Sequence, residues 1–218
     1  MKKLPILLLA LLLPLTVLLT SCGGSMTEAE VSAVLAELIP ASYPLNEIYF
    51  GEGLPISDDR ADVEEFYSAV GMDNDISLNY HPVSPECEYT SMEAIKAATL
   101  EVFSESYSKY LFTMAFDGLS SVFNENTEEQ LTQTVSYARY METDGILTVR
   151  MNVVDEAMPL NRTYDTNDIE IIRDKLSGAH GYLLVEVQSY VDGQPDVKVE
   201  VKLVKNAEGQ FRLDSPTY

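Results

Sequence analysis

Few residues of this chain are equipped for chemistry at a reacting centre. It has two cysteines, Cys22 and Cys87, and two histidines, His81 and His180. A thiol or an imidazole can serve as nucleophile, proton carrier or metal ligand. His81 and Cys87 are close together in the segment HPVSPEC. A zinc site wants three or four ligands, so this pair does not point to one. His180 follows Ser177-Gly178-Ala179 and precedes Gly181, the setting of a loop histidine in a small-residue turn. Asp73-Asn74-Asp75 opens like a calcium loop, but Ser77 and Leu78 stand where a further ligand and a glycine are required, and the segment reads as a turn. Asp and Glu together number 35, enough for some pair to look like an acid/base couple, yet no spacing singles one out. The chain has no GxSxG, HExxH, phosphate loop or dinucleotide fingerprint. The expectation is a non-enzymatic protein without metal or cofactor.

Cys22 is the exception, because its chemistry would be done to it. Lys2 and Lys3 are followed by an almost wholly apolar run, Leu4 to Leu19, broken by Pro5 and Pro14. That is the layout of an export signal, and the run is short for a spanning helix. It ends in Leu19-Thr20-Ser21-Cys22, which resembles the lipobox of bacterial lipoproteins: an aliphatic residue, two small ones, then the cysteine that takes the lipid. On this reading residues 1–21 are removed, Cys22 is lipidated, and residues 22–26 form a short tether. Acyl chains on one thiol, at about 0.8 kcal/mol per buried methylene, would hold the protein on the extracytoplasmic face of the cell membrane. The alternative is an ordinary secretory cut near Ser25 that discards Cys22. With Cys22 lipidated, Cys87 has no partner for an internal disulfide.

The 218-residue chain less its leader suits one domain, or one domain with an N-terminal appendage, and its 46% hydrophobic content can build a core. The formal charge is −21, and loss of Lys2 and Lys3 makes it more negative still. Such an excess repels nucleic acid and anionic membrane surfaces. It favours encounter with a basic protein or with cations, and it also keeps an exposed protein soluble.

The elements divide into helices first and strands afterwards. Thr27 and Glu30 form a capping-box pattern, and Val31, Val34, Leu35, Leu38 and Ile39 follow at helical spacing up to Pro40, where the helix is expected to end. Residues 43–57 read as an ordered loop, and Asp62 to Val70 as a short helix. Thr90 and Glu93 predict a second capping box and one long helix to about Leu111, burying Ile95, Thr99, Val102, Phe103, Ser106 and Tyr110. Leu111 to Phe123 is ambiguous between helix and strand. After Val135, alternation takes over. Tyr137–Thr143 and Ile146–Val153 flank Asp144-Gly145, a two-residue hairpin turn. Asp168–Arg173 reads as a short strand within an acidic connection from Asp155 to Asp174. Tyr182–Val191, Val197–Leu203 and Gln210–Leu213 complete an antiparallel meander with one buried face. The expectation is an α+β fold, N-terminal helices followed by a curled antiparallel sheet, of the cystatin-like or nuclear-transport-factor-like type. Residues 27–85 would be a helical and loop region and 86–218 the α+β domain.

Three stretches then stand together: EYTSMEAIKAATLEVFSESY (Glu88 to Tyr107), ARYMETDGILTVR (Ala138 to Arg150) and EGQFRLDSPTY (Glu208 to Tyr218). They resemble exported Gram-positive proteins of the DL-endopeptidase inhibitor (IseA-like) family, and LNEIYFGEGLP (Leu45 to Pro55) resembles its lipid-anchored members. Phe211 departs from the pattern, standing where the resemblance leads one to expect tryptophan. The resemblance implies a cystatin-like fold and a non-enzymatic role: binding and blocking peptidoglycan-cleaving endopeptidases. It assigns no inhibitory residue. Charge alone suggests that a basic wall hydrolase would meet Asp155, Glu156, Asp165, Asp168, Glu170 and Asp174, for which a solvated surface loop is the plainer reading. A second possible role is to bind a small molecule or envelope component on the concave face of the sheet.

Overall fold

A computed structural model describes residues 25–57, 80–117, 119–124, 129–134, 138–150, 160–177 and 181–218. Its first element is a 23-residue helix, α1 (Glu28–Phe50). Thr27 caps it as the sequence requires: its hydroxyl accepts from the Glu30 amide at 3.3 Å, and the Glu30 carboxylate accepts from the Thr27 amide at 2.8 Å. The helix does not end at Pro40 but continues through both Pro40 and Pro44. Proline costs a helix its hydrogen bond to the carbonyl four residues back. Here Pro40, Pro44 and the residue whose carbonyl Pro40 frees, Ala36, all lie on the exposed side, so the freed group is not buried without a partner. The buried side runs unbroken past the prolines through Leu45, Ile48 and Tyr49. Packing on both sides of the prolines holds the helix, as is usual for helices in folded proteins.

Two shorter helices, α2 (Met92–Val102) and α3 (Glu105–Phe112), replace the single helix expected from Thr90 to Leu111. Ser91, not Thr90, is the cap of α2, accepting from the Ala94 amide at 3.1 Å. Between the helices Phe103 turns extended and pairs with the last strand at Leu213, and Ser104 caps α3. The break shifts the helical phase of α3. Ser108 and Leu111 become buried, whereas Ser106 and Tyr110, expected inside, are exposed. A π-helical turn, Thr113–Asp117, comes after α3.

The strands are β1 (Tyr80–Pro82), β2 (Leu119–Asn124), β3 (Glu129–Thr134), β4 (Tyr140–Thr143), β5 (Ile146–Arg150), β6 (Arg162–Lys175), β7 (Tyr182–Val191), β8 (Gln194–Lys205) and β9 (Phe211–Leu213). They form three sheets, β1-β5-β4, β2-β3 and β6-β7-β8-β9, with antiparallel pairing between neighbours. Helices followed by antiparallel sheets make this an α+β fold. The turns of the β4–β5 and β7–β8 hairpins, Asp144-Gly145 and Asp192-Gly193, carry positive φ at both residues, as a tight hairpin demands. The alternation read in Tyr182–Val191 is the alternation observed: Leu183, Val185, Val187 and Ser189 are buried and the residues between them are not.

The inner face of the four-stranded sheet is covered by α1. Val31, Leu35, Ile39 and Leu45 join Val185, Val201, Leu203 and Leu213 in one buried cluster. Polar ties fix the register of helix on sheet. Buried Thr217, just beyond β9, bonds to Ser42 at 2.6 Å and accepts from the Asn46 amide at 2.9 Å. Tyr49 bonds to Thr99 of α2 at 2.7 Å. At the far end of α1 the buried Tyr140 hydroxyl donates to the Ile48 carbonyl at 2.9 Å and accepts from the Leu54 amide at 3.1 Å. Arg139, also buried, donates to the Gly51 carbonyl. α1 has no basic residue in its last turn, and Arg139 brings a cation to its negative end.

Candidate functional site

The face of the four-stranded sheet turned away from α1 carries an organised set of charges. The β-pleat decides which residues stand there. Because Leu183, Val185 and Val187 point into the core, Leu184, Glu186 and Gln188 point out. Strand register then sets their neighbours. Glu186 lies directly opposite Glu170 of β6 on one side and Glu200 of β8 on the other. Three carboxylates thus form a straight row across three strands, with opposing Cα atoms about 4.5–5.5 Å apart. Glu170 and Glu200 are exposed and Glu186 is half-buried. None of the three makes an ion pair within 4.0 Å among the described residues, although Arg173 lies near enough for the Glu200 carboxylate to favour its charged form. Like charges directly opposite each other destabilise a sheet, by up to about 1 kcal/mol for a pair, so packing gives no reason for the row.

Cations flank it. The next row toward the β6–β7 connection is Arg173, Leu184 and Lys202, and the row on the other side pairs Gln188 with Lys198. Each cation has an occupation of its own. Arg173 donates to the Tyr182 hydroxyl at 3.3 Å, Lys202 meets Asp214 at 2.6 Å, and Lys198 meets Asp168 at 3.4 Å. The hydrogen bond from Arg173, the largest influence on Tyr182, lowers the tendency of that phenol to stay protonated.

The residues singled out in the sequence are dispersed. The acidic connection is not a loop where it is described: β6 takes up residues 162–175 as a 14-residue edge strand, much longer than the expected Asp168–Arg173. Its acids have different tasks. Asp165 accepts from the Asn167 amide at 2.9 Å in a local turn, where the strand register slips. Asp174 accepts from the Met26 amide at 3.2 Å and the Leu176 amide at 3.1 Å, tying the strand to the entry of α1. Only Glu170 of this set belongs to the carboxylate row. Asp155 and Glu156 lie outside the described residues, as do Cys22, His180, residues 62–70 and Asp73-Asn74-Asp75. His81 sits on β1 opposite Val149, half-buried. Cys87 is a free, half-buried thiol against the core. Among the described residues no group of three His, Cys, Asp or Glu side chains is placed to hold a metal.

No protein-family model matches the chain, and no curated protein matches it. Glu186 and Glu200, two of the three carboxylates of the row, are not singled out by the sequence. Their signal is present there only as outward positions in two strands whose pairing has to be known. The inner face of the sheet, where a small ligand could have been housed, is filled by the side chains of α1. A pocket of about 140 Å³ lies at the surface between α1 and the start of β6, lined by Tyr43, Glu47, Arg162 and Tyr218 among others. Arg162 there is engaged by Ser189 at 2.6 Å and Asp196 at 2.8 Å. Among the described residues no helix is long and apolar enough to cross a membrane.

Proposed function

We propose that this chain is a non-enzymatic, lipid-anchored envelope protein that binds and restrains a basic peptidoglycan DL-endopeptidase, and that the outer face of the β6–β9 sheet is its docking surface. The observation that carries the surface is the unpaired row Glu170–Glu186–Glu200. A row of like charges that lowers stability is of use only if something of opposite charge meets it, and complementary potentials speed encounter and select partners. The anchoring at Cys22 and the endopeptidase as target rest on the lipobox-like Leu19-Thr20-Ser21-Cys22 and on the resemblance of Glu88–Tyr107, Ala138–Arg150 and Glu208–Tyr218. The filled inner face supports protein binding over small-molecule binding.

The test is inhibition of DL-endopeptidases from the same organism by the purified chain. Binding should be tight at low salt and weaken as salt shortens the reach of charges to about 8 Å and below. The triple change Glu170→Gln, Glu186→Gln, Glu200→Gln should abolish most of the inhibition while leaving the fold intact. If the triple variant inhibits as well as the parent, the surface is wrong. If no endopeptidase is slowed at low salt, the function is wrong.

A further inference from the structure

The carboxylate row stands a short way along the fold from the cysteine that the lipobox-like motif marks for lipid. α1 is capped at Thr27, five residues after Cys22. One residue earlier the chain is already fastened. The Met26 amide donates to Asp174 of β6 at 3.2 Å, and the Met26 side chain packs on the core. The first residues of a domain are ordinarily loose unless something ties them down. Here a carboxylate does so, and its other oxygen accepts from the Leu176 amide at 3.1 Å, which holds the carboxylate itself in place. Residues 23–25 alone separate the fastened chain from Cys22.

Tether and strand together limit the reach of the row. From Cys22 to Met26 a chain spans at most about 14 Å, whatever its shape. The hydrogen bond of 3.2 Å keeps the Met26 and Asp174 Cα atoms within about 8 Å of each other. Glu170 lies four residues back along β6 from Asp174, about 13 Å at the rise of a strand. Glu186 and Glu200 follow at strand spacings of about 4.8 Å. The whole row therefore stays within about 45 Å of Cys22 in every orientation of the body. That is about one and a half diameters of a small domain. Resting on the reading of Cys22 as the lipid site and of the outer sheet face as the docking surface, we infer that the partner is a hydrolase itself held at the membrane. Its basic face has to come within about 45 Å of the bilayer, and an endopeptidase fixed deeper in the wall is out of reach. The tether acts as a ruler. Anchorage in one surface also raises the effective concentration of the two proteins, provided that their sites can span the gap.

The test uses vesicles carrying the lipidated protein as cells make it, with a DL-endopeptidase that the purified chain slows in solution. The enzyme is bound to the same vesicles through a chelating lipid, either directly or on a rigid spacer that lifts it about 80 Å, its height checked by energy transfer to a headgroup dye. The parent should slow the directly bound enzyme at least about tenfold more than the lifted one. Inserting about 60 Gly/Ser residues after Gly24, a tether of roughly 45 Å r.m.s. length, should bring the two within about twofold. Equal inhibition at both heights by the parent would overturn the inference, as would a lengthened tether that changes nothing. An enzyme slowed in solution but at neither height would also overturn it while leaving the docking face standing. If no endopeptidase is slowed in solution, the function itself fails, and this inference with it.

Discussion

Replacing Thr217 by valine tests whether the C-terminus is pinned to α1 by its hydroxyl. Thr217 is 1% exposed and meets Ser42 and Asn46, which are 0% and 2% exposed. Hydrogen counting fixes the directions. The Ser42 hydroxyl donates to the Ile39 carbonyl at 2.6 Å, so the proton between Ser42 and Thr217 comes from Thr217, whose oxygen in turn accepts from Asn46. Valine has nearly the same shape and leaves no cavity. It removes an acceptor from Asn46 and a donor to Ser42. The Ser42 oxygen keeps its own donation to Ile39, so the main cost is a buried amide N–H with no acceptor, about 1–3 kcal/mol. We expect Thr217→Val to lose about 2 kcal/mol, which for a chain of this size lowers Tm by roughly 4–8 °C and the urea midpoint by about 1 M. Thr217→Ser keeps the hydroxyl and loses only a methyl, and should cost less. Urea unfolding of the three proteins side by side decides it. A loss below about 0.5 kcal/mol for valine, or serine proving the more harmful change, would refute the network account and leave packing alone to hold the tail.

Two other outcomes rest on buried hydroxyls. Tyr140→Phe should cost about 1–2 kcal/mol in urea unfolding, because it strands the Leu54 amide and the Ile48 carbonyl together at the end of α1. Burial raises Tyr49, Tyr140 and Tyr164 above the ordinary tyrosine value, Tyr164 to about 12. In the unfolded chain these phenols ionise near 10, so above that pH the unfolded state has lost protons that the folded state keeps. Stability should be full below about pH 10 and fall as pH rises from there through about 12, read as a declining urea midpoint between pH 10 and 12. A midpoint that stayed level over that range would show that these phenols are not held protonated by the fold.

Sequence pattern and structure agree where a local signal and the tertiary outcome coincide. Thr27 and Glu30 mark the start of α1, and Asp144-Gly145 marks the β4–β5 turn, because caps and tight turns are decided within four residues. They part at Pro40, because a local rule about proline is blind to the side of the helix that the proline occupies. The periodicity that continues through Leu45, Ile48 and Tyr49 holds the right answer, since those positions extend the stripe of Val31, Leu35, Leu38 and Ile39. They part again at Phe103 for the opposite reason. The helical pattern there is good, and only the parallel bridge to Leu213 and the second cap at Ser104 show that the chain gains more by breaking. Helix propensity is a weak prior, and a partner more than a hundred positions away overrides it.

The charges on the sheet illustrate a different limit. In the sequence the acids that catch the eye are those crowded between Asp155 and Asp174, yet three of the four described ones in that stretch serve turns, ties and an exposed ion pair. The row that survives is made of Glu170, Glu186 and Glu200, one from each of three strands, and nothing in their local surroundings distinguishes them from other outward-facing polar residues. What distinguishes them is register: shift β7 by one residue and Glu186 would face the core instead. The proposed docking face is therefore a property of strand alignment rather than of composition. For this reason the net charge of −21 could suggest a basic partner but could not say where it would bind.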